Sequence, residues 1–271
     1  MPRAIPPSEH SSSAMGRTAA DLPESNLPPM TMTGSTHPPI DEKSTFVREM
    51  FARIAPRYDT ANRVLTVGLD ESWRRRAIAL LAPPRGGSVL DLCCGTGDVV
   101  FHLLRTDPTL HVTGIDFCPP MLDAARIRAR KEARGEARFI EGDVMSLPFE
   151  DHVFDGATMG FSLRNVVEID RVLREIFRVL RPGGRFINLD VSKPPNPMWR
   201  RFFSLYFYGV VPLLGALVGG SKQAYAYLPS SLTHHPNAEG LLDHFTRSGF
   251  VNAGYVPLMG GAIAVHYGTK P

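Results

Sequence analysis

The chain is short of the residues that build sites by themselves. Its 271 residues include only three cysteines, Cys93, Cys94 and Cys118, with no C-x-x-C pair among them. That excludes a disulfide framework and the common cysteine-based zinc spacings, and it suits a reducing interior. The nine histidines show neither H-E-x-x-H nor a Cys/His ligand spacing, so no metal is expected. Excess charge is also small: 30 Lys and Arg against 27 Asp and Glu leave +3, which neither demands nor excludes a polyanionic partner. No aromatic residue occurs before Phe46, while the first 42 residues carry eight of the 24 prolines. Such a stretch cannot bury enough apolar surface to offset its ordering entropy, and it has no signal-peptide core. Residues 1–42 are therefore expected to be a disordered extension. A transit peptide is the weaker alternative, because Glu9, Asp21 and Glu24 interrupt it, and a true start at Met30 or Met32 is another.

The remainder, 43–271, has the size and apolar content of one α/β domain. Phe46, Val47, Met50, Phe51 and Ile54 form a helical face that Pro56 ends, and a second helix is expected over Trp73–Leu81. Strands and helices then alternate. Strands are predicted at 88–93, 111–116, 137–143, 153–161 and 185–190. Helices are predicted at 97–105, 119–133 and 167–180, the last stopped by "RPGG". A helix at 237–248 and a hairpin of 250–256 with 261–267 close the chain. This alternation predicts a mostly parallel sheet covered by helices on both faces.

One stretch breaks the pattern. Phe202–Ser221, "FFSLYFYGVVPLLGALVGGS", contains no charge. Its length reaches that of a membrane span, yet Pro212 and four glycines interrupt it. Three readings stand: a helical lid over an apolar pocket (residues 199–235), a surface that also touches lipid, and a true span. Arg200 and Arg201 beside Trp199 would suit an interfacial edge.

The apolar run that opens the alternation climbs into "VLDLCCGTGD" (89–98). Gly95 and Gly97 let a backbone approach a ligand without a Cβ in the way. A dinucleotide-binding turn would have a small residue where this chain has Val100, and Asp98 at the helix start would repel a phosphate. A positively charged ligand suits the loop better, with Asp91 and Asp98 expected to face it; simple helix capping is the alternative for Asp98. Asp116 ends the second strand, where a carboxylate can accept from a ribose diol. Asp143, in "GDVMSLPF", could accept an adenine amine, and the Val144 N–H could reach a ring nitrogen. Ribose, adenine and a cationic centre together describe S-adenosylmethionine.

With these residues in place, the chain resembles the class I S-adenosylmethionine methyltransferases, and among them the ubiquinone/menaquinone C-methyltransferases. The resemblance runs from about Thr45 to Lys270 through "FARIAPRYD" (51–59), "LDLCCGTGD" (90–98), "FSLRNV" (161–166), "RVLRPGGRF" (178–186) and "YAYLPSS" (225–231). "LDVSKP" and the apolar insert look more like the menaquinone branch. The resemblance implies a Rossmann-like, seven-stranded, mostly parallel sheet with a C-terminal antiparallel hairpin. It implies that Thr96, Asp116, Asp143 and Val144 contact the cofactor. It also implies that the "APRYD" segment folds over the cofactor with Tyr58 near the sulfonium. Where relatives often carry Ser this chain has Gly160, which leaves only a backbone contact there.

The implied reaction moves a methyl group to a ring carbon of a prenylated quinol, in the cytoplasm or at the inner face of the membrane. Ionising the neighbouring ring hydroxyl makes that carbon nucleophilic, so something must stabilise a phenolate. Arg164 is the expected stabiliser; as a guanidinium it cannot serve as a base, and Asn165 is expected to orient it. Pinning the loop is the structural alternative for Arg164. Tyr225, Tyr227, His234 and His235 are expected to line the quinol pocket, with packing as the alternative for each. Two basic runs, "WRRRA" (73–77) and "ARIRARKEAR" (125–134), raise a nucleic-acid reading, but they suit solvated helix faces, and no N-P-P-Y follows the fourth strand. No nucleic-acid partner is expected, and a homo-oligomer is left open. Another small apolar acceptor (a ubiquinone precursor, sterol or phenolic lipid) and a cofactor-binding scaffold without turnover are the rival functions.

Overall fold

The alternating apolar runs fold into one seven-stranded sheet. The computed structural model describes residues 42–132, 135–233 and 235–271. The expected extension, apart from Glu42, and His234 therefore lie outside the described residues. The strands are β1 (Ser88–Leu92), β2 (His111–Asp116), β3 (Glu136–Glu141), β4 (Phe154–Gly160), β5 (Leu180–Val191), β6 (Val251–Leu258) and β7 (Ile263–Thr269), in the order 3-2-1-4-5-7-6. β1 to β5 pair in parallel, and β7 is wedged antiparallel between β5 and β6. The winding reverses between β1 and β4. A ligand crevice is expected just beyond the carboxyl ends of those strands.

Ten helices surround the sheet among the described residues: α1 (Glu42–Ile54), α2 (Tyr58–Leu65), α3 (Asp70–Leu81), α4 (Asp98–Thr106), α5 (Pro119–Glu132), α6 (Ile169–Val179), α7 (Pro197–Ser204), α8 (Val211–Gly219), α9 (Lys222–Thr233) and α10 (Ala238–Arg247). The period-2 alternation of β1 separates two cores. Val89 packs on one face with Val100, Leu103 and Val112, and Leu90 and Leu92 pack on the other with Phe154, Leu173 and Phe186. α1, α2, α8 and α9 join the first core, so the apolar insert packs onto the sheet domain.

Two elements differ from expectation. Pro56 ends α1 but occupies a single 3₁₀ turn, Ala55–Arg57, after which the chain resumes as α2; proline is tolerated where a new helix begins. "RPGG" does stop α6, yet it belongs to β5, which reaches back to Leu180 through a register shift against β4. Gly183 there adopts φ +79°, a left-handed conformation that glycine permits. The insert is helical from Trp199 to Gly219 and again from Lys222 to Thr233, in keeping with the expected helical reading. α7, a π-helical stretch Leu205–Val210 and α8 run together, and α9 follows with Pro229 inside it.

Candidate active site

The glycine turn is built by the acid at the end of the neighbouring strand. Gly95, at φ +54°, donates its N–H to the Asp116 carboxylate at 2.8 Å, and Cys118 N–H donates to the other oxygen at 2.9 Å. Asp116 is buried, and loss of hydration pushes its carboxyl up to about 6 despite these donors. Beside it opens a cavity of about 430 Å³ whose lining includes Gly95, Asp116, Glu141, Asp143, Val144 and Asn165. Asp143 caps its own turn by accepting from Met145 N–H at 2.8 Å. The amide nitrogen and oxygen of Asn165 are both buried with no hydrogen-bond partner. Buried amides are ordinarily paired, so this side chain is set to meet a polar ligand. α1 and the start of α2 close the cavity with Val47, Arg48, Phe51 and Tyr58.

On the other side of Phe51 and Tyr58 lies a second, apolar cavity of about 130 Å³, walled by Ile54, Leu65, Phe207, Val211 and Tyr225. Phe51 and Tyr58 border both spaces and stack edge to face, with centroids 5.9 Å apart. Burial raises the Tyr58 phenol above its ordinary range, so it stays protonated. Arg164 lines the apolar side from the 3₁₀ turn after β4. Its guanidinium donates to the Phe161 carbonyl at 2.6 Å and to the Ser231 hydroxyl at 3.2 Å, and it is ion-paired with buried Asp190. Nη2 takes part in none of these bonds. The loop-pinning role and a ligand-facing role thus coincide in one residue.

Other expected residues sit elsewhere. Asp98 does not face the cavity. It is held by Arg128 at 2.5 Å and Arg74 at 3.2 Å, which keep its carboxyl below the usual range despite burial. Nor does it cap α4 through its side chain. Asp91 lies inside β1, accepting from the Thr158 hydroxyl at 2.7 Å, and burial pushes it up to about 7. The Thr96 hydroxyl donates to Asp59 of α2 at 2.5 Å, tying the glycine turn to the covering helix rather than lining the cavity. At Gly97, φ +84°, a Cβ would press on Phe101 at 2.8 Å, so this glycine serves turn and packing. The Gly160 carbonyl accepts from Ser162 at 3.0 Å, and it is Ser162 that lines the cavity. Asn165 borders the cavity opposite to the one Arg164 lines and makes no hydrogen bond to it, so it does not orient the arginine. Tyr227 packs on Phe46, with centroids 5.5 Å apart. His235 is buried, and its carbonyl accepts from Lys193 at 2.7 Å; neither Tyr227 nor His235 lines either cavity. The basic runs are not wholly solvated faces: Arg74 is buried between Asp70 and Asp98, and Arg128 lies 4.6 Å over the Phe101 ring. Sequence reading also missed Ser162, Glu141 and the α1 wall. For α1 the signal was present, since Val47 and Phe51 share its apolar face.

The family model described as the ubiE/COQ5 methyltransferase family matches residues 40–270. The chain belongs to the ubiE/COQ5 methyltransferase family. Among curated relatives, the demethylmenaquinone methyltransferase of Thermus thermophilus is 43% identical over 82% of this chain and 100% of its own. That of Deinococcus radiodurans is 42% identical over 81% and 92%. The solved SAM-dependent methyltransferase of Thermotoga maritima superposes with a TM-score of 0.60 at 20% identity, covering 83% of this chain and all of its own. The cyclase SpnF superposes at 0.59 and 22%, covering 86% and 98%. At that identity the neighbours show the fold alone: a Rossmann-like class I methyltransferase sheet. As a member of the ubiE/COQ5 family this chain is a methyltransferase, and its cofactor is S-adenosylmethionine.

Proposed function

We propose that the chain methylates a ring carbon of demethylmenaquinol, using S-adenosylmethionine, in menaquinone formation. One observation carries the reading: a polar cavity at the strand ends and an apolar cavity share the Phe51–Tyr58 wall, with Arg164 on the apolar side. The polar cavity suits the cofactor. Its acids provide acceptors for hydroxyls and an amine, they favour a cation, and the unpartnered Asn165 amide adds both a donor and an acceptor. Asp116, Asp143 and the Val144 backbone would hold the adenosine part, and Asn165 the remainder. Bound there, S-adenosylmethionine supplies an electrophilic methyl group and a neutral leaving group.

The chain's part is then positioning and charge. α1 and Tyr58 close one side of the polar cavity. Ile54, Leu65, Phe207 and Val211 receive the quinol ring. Arg164, held in plane by Phe161, Asp190 and Ser231, presents Nη2 toward a ring oxygen and stabilises the phenolate that activates the neighbouring carbon. The guanidinium keeps its protons throughout, so the hydroxyl proton, and the ring proton displaced by the methyl group, pass to water. The names of the relatives favour a demethylmenaquinone-type acceptor over a ubiquinone precursor. A labelled-methyl transfer assay with purified protein tests this. Incorporation into demethylmenaquinol well above that into a demethoxy-ubiquinol-type acceptor is expected. Preference for the latter, or no incorporation into either, would refute it.

A further inference from the structure

The helix that walls the apolar cavity has a second face. Pro197–Gly219 runs for 23 residues and contains an 18-residue window of mean hydropathy 1.8, long and apolar enough by composition to cross a membrane. Its inward positions are occupied by the protein. Phe207, Val211, Gly215 and Gly219 recur every fourth residue and are buried; Tyr206 donates its hydroxyl to the Leu65 carbonyl. A Cβ on Gly215 would fall 2.1 Å from the Tyr225 ring. A helix committed along one side to its own domain lies beside a membrane rather than through it. Its outward positions are bare: Met198 is 70%, Leu205 72%, Leu213 64% and Leu217 71% exposed, with Phe202 and Tyr208 in the same row. Val64, Val67 and Leu69, at the end of α2 and the turn after it, are exposed too, and α2 packs against α8. Single exposed leucines need no explanation, but a contiguous apolar row does.

We infer that this face rests on an anionic lipid bilayer, with the helix in the interfacial plane. Charge selects that occupant. From Val191 to Ala238 the sequence has no Asp or Glu, while Lys193, Arg200, Arg201 and Lys222 are basic, and Arg200 and Arg201 are exposed. Leucines at acyl depth with arginines at headgroup level are the arrangement such a surface binds. A second copy of the chain would bury the same leucines but would offer these arginines no Asp or Glu from its own residues 191–238. The apolar cavity, about 130 Å³, is well below the ~300–1,000 Å³ that encloses a drug-sized ligand, so a prenyl tail has to leave it. Cavity wall and exposed row are two faces of one helix, so a tail that leaves the cavity past that helix reaches the bilayer directly. The purpose of the docking rests on the prenylated-acceptor reading proposed above; its geometry does not.

The test is flotation of the full-length protein with phosphatidylglycerol/phosphatidylcholine vesicles and with phosphatidylcholine alone. It compares wild type with Leu205→Glu/Leu213→Glu/Leu217→Glu, whose residues line neither cavity. Wild type should float with anionic vesicles, less with neutral ones and less in high salt, and the triple variant should lose at least about tenfold in partitioning. Turnover of a tail-free quinol should be equal in both. If the triple variant does not fold, Arg200→Gln/Arg201→Gln should weaken flotation on anionic vesicles only, and Trp199 emission should shift to the blue when wild type binds. Wild type failing to float, the variants floating like wild type, or a stable dimer by light scattering that the triple variant dissociates would each overturn the docking. Absent flotation with intact turnover of demethylmenaquinol in detergent overturns the docking alone. Flotation without methyl transfer overturns the methylation reading alone.

Discussion

The two cavities on either side of Tyr58 are made by different physics. The polar one is a property of the sheet: its acids stand at or just beyond strand ends, and backbone N–H groups of Gly95 and Cys118 fix the Asp116 carboxylate. The apolar one is a property of helix packing, assembled from α1, α2, the π-helical stretch, α8 and α9, which are distant in sequence. The first should therefore tolerate changes in the insert, and the second should tolerate changes in the acids. Where one substitution disturbs both, the boundary has been reached.

On the apolar side, Arg164 should give the largest effect. Arg164→Ala is expected to lower turnover by about 10²–10³-fold, the cost of losing a preorganised donor to a developing oxyanion. It also strands the buried Asp190 carboxylate, at about 3–5 kcal/mol of stability. Arg164→Lys keeps the charge but not the fork; steady-state kinetics beside thermal melts should show turnover falling more than stability. Turnover near wild type in that variant would remove Arg164 from the chemistry. Next is the tail. With about 0.8 kcal/mol per buried methylene, a tail-free quinol should raise KM by about 10²-fold or more, while calorimetry shows unchanged cofactor affinity. Asp116→Asn should act on the other side only. An amide could still accept from one of the Gly95 and Cys118 N–H groups but would turn its own NH2 against the other, and cofactor binding should weaken by about 10–100-fold with quinol binding intact.

The pH dependence sharpens the same division. On the proposed reading, cofactor hydroxyls would donate to ionised Asp116, and affinity should then fall as pH drops through about 6. For the apo protein the sign reverses. Asp116 and Asp91, raised to about 6 and about 7, hold protons more tightly folded than unfolded. Their contribution to stability is present at low pH and lost as pH rises through those values, and Asp116→Asn should flatten the slope of Tm against pH. The smallest effect is expected at Gly215→Ala. Its Cβ would meet Tyr225, and overpacking of about 1–3 kcal/mol outweighs a helix-propensity gain of about 0.5–1 kcal/mol. Melting should show modest destabilisation, with a raised quinol KM and unchanged cofactor binding.

Legibility in the sequence follows the same boundary. Strand ends are readable because the apolar runs mark where each strand stops, so the sequence alone brings Asp116, Asp143 and Val144 to one end of the sheet, where they line one cavity. Asp98 misled because charge and position suggested a ligand, and nothing local reveals that Arg74 and Arg128 converge on it from two other helices. Thr96 misled similarly, its partner Asp59 lying 37 positions away. The insert was recognisable as apolar, but which of its faces turned inward depended on Gly215 and Gly219 receiving Tyr225, a tertiary fact. His235 and Tyr227 were placed in the pocket by proximity in sequence to the insert, and the packing of α9 put them elsewhere.

The most direct test of the central claim, that two neighbouring cavities hold cofactor and quinol at once, is a calorimetric titration of a short-tailed menaquinol analogue. It should be run with the free protein and again with the protein saturated in S-adenosylhomocysteine. The account predicts one equivalent of analogue in both titrations, with affinity unchanged or tighter when the nucleoside is bound. Mutual exclusion, the analogue's heat vanishing once S-adenosylhomocysteine is present, would contradict it.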